Sequence, residues 1–476
     1  MTAEVLERPT AMAEINMAHA AAALAEDYAQ DADLPLRYAY TWQHLNRGRY
    51  AEQVLRRGPL RCVDPIDGTL RSATSAHVLC GDWLGIIYHF EGVEPFWLVT
   101  SSFDQAKLGL YLPRREVFIA GPVDPNWVTI GHDAVRSHLR LAATAEPWTG
   151  PVKPEASVLY LGFCNNLGHT MWNDLSGLEA AVDAGMLDRV AAVVAGPHTF
   201  FPVDALFPEL AAAGVPVIRR PKDAPPCVRH DAASLPLRLT SNRITRSLRR
   251  SIVAWALQAE QASLASLAPL NGPGLNLWCN LRQHNKTWVD QVDGLVALAK
   301  VFAGALKGQP VRLLLDGTRD TAPLAARIAE ALSGQVDVVD ATQVPLSRTV
   351  VMCGLVDLHL CVVGSGLTLP HWVMGRRGVA HGNRPHLGQQ SFWNNVSEGT
   401  HDVDFVPMDA VQDLDGPLTP DPSYVNYRLD VQAVLSLLET RFRQLDTGPR
   451  RSGFQQMLAL VAQGRLGDAA ERLINV

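Results

Sequence analysis

Residues 157–185, SVLYLGFCNNLGHTMWNDLSGLEAAVDAG, decide the fold. SVLYLGF reads as a short apolar strand, and HTMWNDLSGLEAAVDAG reads as a helix reached through a polar, glycine-containing loop. The alternation continues outward: RVAAVVAG (189–196) as a strand, PVDALFPELAAAG (202–214) as a helix, VPVIRR (215–220) as a strand. That β-α-β-α-β order predicts a parallel sheet with covering helices. A helical stretch at 242–267 ends at the hinge NGPG (271–274). A second alternating block follows, with LNLWCNL (275–281), PVRLLLD (310–316), QVDVVD (335–340), LHLCVVG (358–364) and GVAHG (378–382) as strands and helical patterns between them. Two such blocks predict an α/β protein of two facing Rossmann-type domains. Ligands of open α/β sheets sit outside the carboxyl ends of strands, so chemistry is expected just after them.

Upstream, LGIIYHF (84–90), FWLVTSSF (96–103), GLYLPRREVFIAG (109–121) and NWVTIG (126–131) are short β-rich runs that predict antiparallel strands. The Pro-rich EPWTGPVKPEAS (146–157) ends that region. Both chain ends read as helical hairpins. The expected division is an N-terminal helical segment (1–58), a β-rich subdomain (59–150), an N-terminal Rossmann-like domain (151–270), a C-terminal one (271–445) and a helical hairpin (446–476). One hairpin at each end is too few for a solenoid. The ends are expected to pack on the main body or to dock a protein partner.

Composition bounds the function. Across 476 residues, 47% are hydrophobic and 19% charged, which suits a globular chain and excludes a disordered one. The formal charge of −6 argues against a nucleic-acid partner. Seven cysteines stand singly with no C-x-x-C pair, against zinc-finger, iron–sulfur and thioredoxin chemistry. Residues 1–31 are studded with acids, unlike a signal peptide. The most apolar stretch, Val350–Met374, contains Asp357, His359, Pro370 and His371, so no transmembrane segment is expected. A cytoplasmic protein is the expectation.

Three strand-end loops carry the candidate site. In the first, Asn165, Asn166 and Gly168 lead to His169 at a helix start, where the helix dipole disfavours a second proton and leaves a neutral imidazole competent as a general base. Asp174 is the second choice for that role. Capping of the helix is the plain alternative use of these residues. In the second loop, Gly364-Ser365-Gly366-Leu367-Thr368 runs into Pro370 and His371. It lacks the G-x-G-x-x-G pattern of dinucleotide sites and offers main-chain N–H groups and hydroxyls for a diphosphate. In the third, Arg282 and Lys286 can clamp phosphate oxygens. Asp316, His381 and Asn383 also follow strands and are further pocket candidates. Asp402-Val403-Asp404 matches a D-x-D metal–nucleotide motif, but only over three residues, and no metal ligand is assigned.

The block NNLGHTMWNDLSGLEAA (165–181) resembles the N-F-x-H-W/F-x-x-[DE]-x-L-x-R-L segment of the family-61 glycosyltransferases. Residues 344–375, which include the Gly-Ser-Gly loop, are similar both to that family's G-[AS]-[AG]-L-x-N segment and to the D-S-G-x-x-H-L-A segment of bacterial heptosyltransferases. Thr170 stands where the first family carries an aromatic, and Gly364 where the second carries an aspartate. The resemblance implies a GT-B-like fold and an inverting, metal-independent glycosyltransferase that moves a sugar from a nucleotide-sugar donor to an acceptor hydroxyl of a protein or glycan. The C-terminal domain would hold the donor through Gly364–Gly366, Arg282 and Lys286. His169 would deprotonate the acceptor. No cofactor beyond the donor is implied. Two other classes fit the same frame: a nucleotide-sugar epimerase or hydrolase, and a non-catalytic carbohydrate- or protein-binding module.

Overall fold

The computed structural model describes residue 55 and residues 61–64, 69–80, 84–100, 109–120, 125–241, 243–306, 308–414, 424–445 and 449–475. The helical expectation for 1–58 lies outside these, apart from Leu55. The chain divides into two compact units, Met1–Arg243 and Ile244–Val476.

The first unit holds β1 (Arg61–Val63), β2 (Leu70–Cys80), β3 (Leu84–Phe90), β4 (Phe96–Val99), β5 (Gly109–Leu112), β6 (Val117–Ala120), β7 (Glu146–Pro147), β8 (Ser157–Leu161), β9 (Val190–Ala195), β10 (Val217–Arg219), β11 (Cys227–Asp231) and β12 (Pro236–Leu237). They form two sheets. One is a mostly antiparallel sheet in the order β6-β5-β4-β3-β2-β11-β7, with β1 paired to β2. The other is parallel, in the order β10-β9-β8-β12. Side-chain alternation shows how they stack. Ile86, Tyr88 and Phe90 of β3 join Val158 and Tyr160 of β8 and Ala192 and Val194 of β9 in one core. Ile87 points the other way, into a second core with Leu79, Val99, Tyr111 and Val135. Val135 belongs to the helix Pro125–Leu141, which covers that second face. Both faces of the antiparallel sheet are thus shielded, which is why its strands are apolar on both sides.

Two expectations change here. NWVTIG is part of the helix Pro125–Leu141, not a strand. Its six residues hide a helical period that emerges only with the downstream Ala134, Val135, His138 and Leu141, whose spacing makes one stripe. The β-rich region is also not closed at residue 150, because β11 inserts between β2 and β7.

The second unit contains β13 (Leu275–Asn280), β14 (Val311–Asp316), β15 (Asp337–Asp340), β16 (Leu358–Val362), β17 (Gly378–His381) and β18 (Asp404–Phe405), all parallel, in the order β15-β14-β13-β16-β17-β18. A small antiparallel pair, β19 (Val411–Asp413) and β20 (Tyr427–Leu429), stands beside it. The helix Arg246–Ala259, started by the Thr245 hydroxyl cap, buries Leu248, Ile252, Val253 and Leu257 within this unit. The division therefore falls upstream of the expected boundary at 270. The C-terminal helices Pro449–Ala462 and Leu466–Ile474 also belong to the body of this unit: Ala469, Ala470 and Leu473 are buried, and Arg376 donates to the Leu473 carbonyl at 2.6 Å. Their apolar face is consumed internally. Among the described residues, no helix is long and apolar enough to cross a membrane.

Candidate active site

In each parallel sheet the chain order reverses at one place. In the first unit it reverses between β8 and β12, and in the second between β13 and β16. Such a reversal opens a crevice at the carboxyl ends of the two strands, because the connections leave in opposite directions. Each of the three loops singled out from the sequence follows a strand that flanks one of these two reversals: 162–169 follows β8 in the first unit, and 281–288 and 363–366 follow β13 and β16 in the second.

In the first unit, Asn166 caps the short helix Leu167–His169, its side chain accepting from the His169 N–H at 3.2 Å. A π-helical turn, Thr170–Leu175, follows. Such wide turns recur at functional sites. His169 Nδ1 lies 2.8 Å from Asn173 Oδ1, and Asn173 Nδ2 donates to Thr240 Oγ1 at 3.0 Å. With its amide nitrogen committed to Thr240, Asn173 presents oxygen to the imidazole. Nδ1, facing that oxygen, is therefore the donor. Thr240 lies just after β12, so both strands of the switch point hold this ring.

Asp174 serves a different purpose. Its Oδ1 takes Arg238 Nε at 2.8 Å and Nη2 at 2.7 Å, and its Oδ2 accepts from the Gly162 N–H at 2.8 Å. The pair is interior, with side-chain exposures of 1% and 4%. A carboxylate so engaged is a clasp between β8, the π-turn and the segment after β12. The geometry separates it from the base role that His169 can fill. Asn165 is exposed, and Gly168 is buried beside it.

In the second unit Gly364 adopts φ 124°, a conformation open to glycine, and starts the turn Ser365–Leu367. A Cβ on Gly366 would lie 2.2 Å from the Asn280 side chain, so the loop after β16 rests directly on the end of β13. Asn280 Nδ2 also approaches Asp316 Oδ2 at 3.4 Å. Burial raises the Asp316 carboxyl to about 6. A second π-turn, Thr368–Val373, follows the Gly-Ser-Gly loop as the first follows the asparagine loop. The Thr368 hydroxyl in it is buried without a hydrogen-bond partner.

The cations differ in their use. Arg282 is folded back: Nε donates to the Asn285 carbonyl at 2.7 Å and Nη2 to Asn285 Oδ1 at 2.9 Å. Its main-chain groups bond the Gln291 side chain at 3.1 and 2.8 Å. Burial lowers its pKa. It holds the shape of its loop, in which His284 and Lys286 have φ of 75° and 52°. Lys286 Nζ lies 3.1 Å from His386 Nε2 and 5.1 Å from the centre of the Tyr424 ring. His386 Nδ1 is 2.6 Å from Asn383 Oδ1, and Asn383 Nδ2 donates to the Val425 carbonyl at 3.0 Å.

Leu367, His371 and His381 are interior. Leu367 is fully buried. His371 bonds the Trp393 carbonyl at 3.0 Å, and His381 bonds the Tyr427 hydroxyl at 2.8 Å. Burial lowers the two imidazoles to about 4 and about 3, so both are neutral. They shape the loops from below. Asp404 of the D-x-D triplet opens β18 and is held by Arg441 Nε at 2.6 Å and Nη2 at 2.5 Å. Sequence reasoning left out Asn173, Arg238, Thr240, Asn280 and Tyr424. Only Asn173 carries a usable signal, its i, i+4 spacing from His169.

No protein-family model matches the chain, and no curated protein matches it. Solved structures share a distant likeness. ADP-heptose LPS heptosyltransferase II of Escherichia coli is 14% identical with a TM-score of 0.30, over 64% of this chain and 79% of that one. A family-9 glycosyl transferase of Veillonella parvula is 11% identical with a TM-score of 0.29, over 66% and 78%. A UDP-forming α,α-trehalose-phosphate synthase of Burkholderia vietnamiensis is 10% identical with a TM-score of 0.31, over 75% and 78%. At these values the likeness carries no functional argument, and the family-61 resemblance rests on its motif residues alone.

Proposed function

We propose that this chain is a glycosyltransferase that transfers a sugar from a nucleotide-activated donor to an acceptor hydroxyl, with inversion. The observation that carries the reading is the gathering of the motif residues at the switch point of each parallel sheet. The second unit holds the donor diphosphate with the main-chain N–H groups after Gly364 and the ammonium of Lys286. Arg282 and the Asn383–His386 pair fix the loops that present them. The first unit supplies the base. Its His169, oriented by Asn173 through Nδ1, is the general base.

In the displacement, the acceptor oxygen forms a bond to the anomeric carbon on the face opposite the diphosphate. The anomeric C–O bond to that diphosphate breaks, and the nucleoside diphosphate leaves with the electron pair. The hydroxyl proton passes to the general base. Positive charge and oriented N–H dipoles stabilise the departing anion where its charge develops. No metal is assigned a step. The acceptor is a protein or a glycan.

The test is a thermal-shift panel of nucleotide sugars and their nucleoside diphosphates. A ligand at 100 times its dissociation constant adds about 2.7 kcal/mol of apparent stability. The expected outcome is stabilisation by one nucleotide class, weakened in Lys286→Ala and retained in His169→Ala. No stabilisation by any nucleotide refutes the reading and favours a binding module. Donor consumed without acceptor, giving free sugar or isomerised donor, favours the hydrolase or epimerase.

A further inference from the structure

The antiparallel sheet of the first unit carries a feature that the transfer reaction does not use. His77 on β2 stands opposite Ile87, and His89 on β3 stands opposite Ser75. The two imidazoles are therefore diagonal neighbours on one sheet face. That face is covered by the helix Pro125–Leu141, whose His138 completes a cluster. One ring nitrogen from each of the three residues lies within 4.8 Å of the others. Trp97, opposite His89 on β4, closes the group from the side, its ring centre 4.5 Å from that of His138 and 5.3 Å from that of His89.

We propose that His77, His89 and His138 form a binding site for one divalent transition-metal ion, with Zn2+ the favoured occupant, which clasps the helix Pro125–Leu141 to the sheet. Three observations carry this. His77 Nδ1 and His89 Nε2 are 3.4 Å apart. That matches the edge of a tetrahedron with zinc–nitrogen bonds of about 2.0–2.1 Å, which is roughly 3.3–3.4 Å. His138 Nδ1 is buried with no hydrogen-bond partner, an arrangement that costs stability unless something engages that ring. His89 Nδ1 bonds Ser75 Oγ at 3.0 Å, the kind of outer contact that orients a ligating imidazole and turns its other nitrogen to the metal. The donor set is imidazole alone. It suits zinc, copper or nickel and disfavours magnesium and calcium, which take oxygen ligands. Three protein ligands leave a fourth position for water.

Burial lowers His77 and His89 to about 4 and His138 to about 3, so all three rings are neutral near pH 7 and keep their lone pairs. Arg229 of β11, exposed and opposite His77, is the charged group that acts on His77, and it opposes a cation. The spacing of 77, 89 and 138 follows no metal motif. Only the sheet register and the helix covering it bring these residues together.

The experiment uses the full chain, stripped with a chelator, desalted and titrated with Zn2+ by calorimetry and with Co2+ by visible absorption. The expected result is one ion per chain, Co2+ bands of tetrahedral nitrogen coordination, and a rise in Tm with Zn2+. His89→Gln and His138→Gln are expected to weaken binding at least about 100-fold, Ser75→Ala about tenfold, while Arg229→Gln tightens it. Absence of stoichiometric binding in the unmodified chain overturns the proposal, as does unchanged affinity in both histidine variants. If those variants do not fold, imidazole 15N shifts of the unmodified chain decide: three rings that move on Zn2+ addition support the site, and rings that stay put overturn it. The site stands apart from the transfer reading, since His169→Ala leaves Zn2+ binding unchanged whatever it does to activity.

Discussion

Asp174→Ala tests whether the carboxylate beside the candidate base is a structural clasp. The substitution removes two charge-assisted contacts to Arg238, at 2.7 and 2.8 Å, and the acceptor for the Gly162 N–H. It leaves a guanidinium that is 4% exposed and whose Nη1 already has no hydrogen-bond partner. Breaking a buried pair from one side costs about 3–5 kcal/mol, since the remaining charge stays desolvated. For a folding unit of 150–250 residues each kcal/mol moves Tm by about 2–4 °C, so the loss is expected at roughly 6–20 °C. Calorimetry on Asp174→Ala, Arg238→Ala and the double variant measures it. The double variant should be less destabilised than the sum of the singles by at least about 1 kcal/mol, because either single loss already breaks the pair. Single variants within about 1 kcal/mol of the unmodified chain, or strictly additive losses, refute the clasp.

His169→Ala should lower transfer about 100-fold while Tm moves by no more than a few degrees, as fits a half-buried general base at a helix end; steady-state rates beside calorimetry check both. Lys286→Ala should weaken nucleoside diphosphate binding about 10- to 100-fold, the worth of one charge-assisted contact, read by calorimetric titration. Acid should destabilise the fold. His230, His359, His371 and His381 have pKa values of about 4, 3, 4 and 3 in the folded state, below 6.5, so the unfolded chain takes up protons first as pH falls. Their contribution is full above about 6.5 and is lost toward pH 4–3, at up to about 2 kcal/mol per histidine by pH 5. A urea midpoint that is the same at pH 7 and pH 5 contradicts this.

What the sequence determined by itself is the alternation of short apolar strands with amphipathic helices in 157–220 and 275–382, because periods of two and 3.6 are local properties of the chain. The strand-end loops were legible for the same reason: glycine, asparagine and proline mark turns through their own backbone geometry. The tertiary structure decided which way each side chain in those loops faces. Arg282 folds onto Asn285, Asp174 turns inward to a residue 64 positions later, and His371 and His381 lie under the loops they were expected to line. It also decided that 126–131 is helical, that β11 completes a sheet begun some 150 residues earlier, and that three scattered histidines meet. The sheet completed by β11 and the histidine cluster depend on contacts between segments remote in the chain. Pairing across such distances is set by the burial of whole faces, which no local window contains.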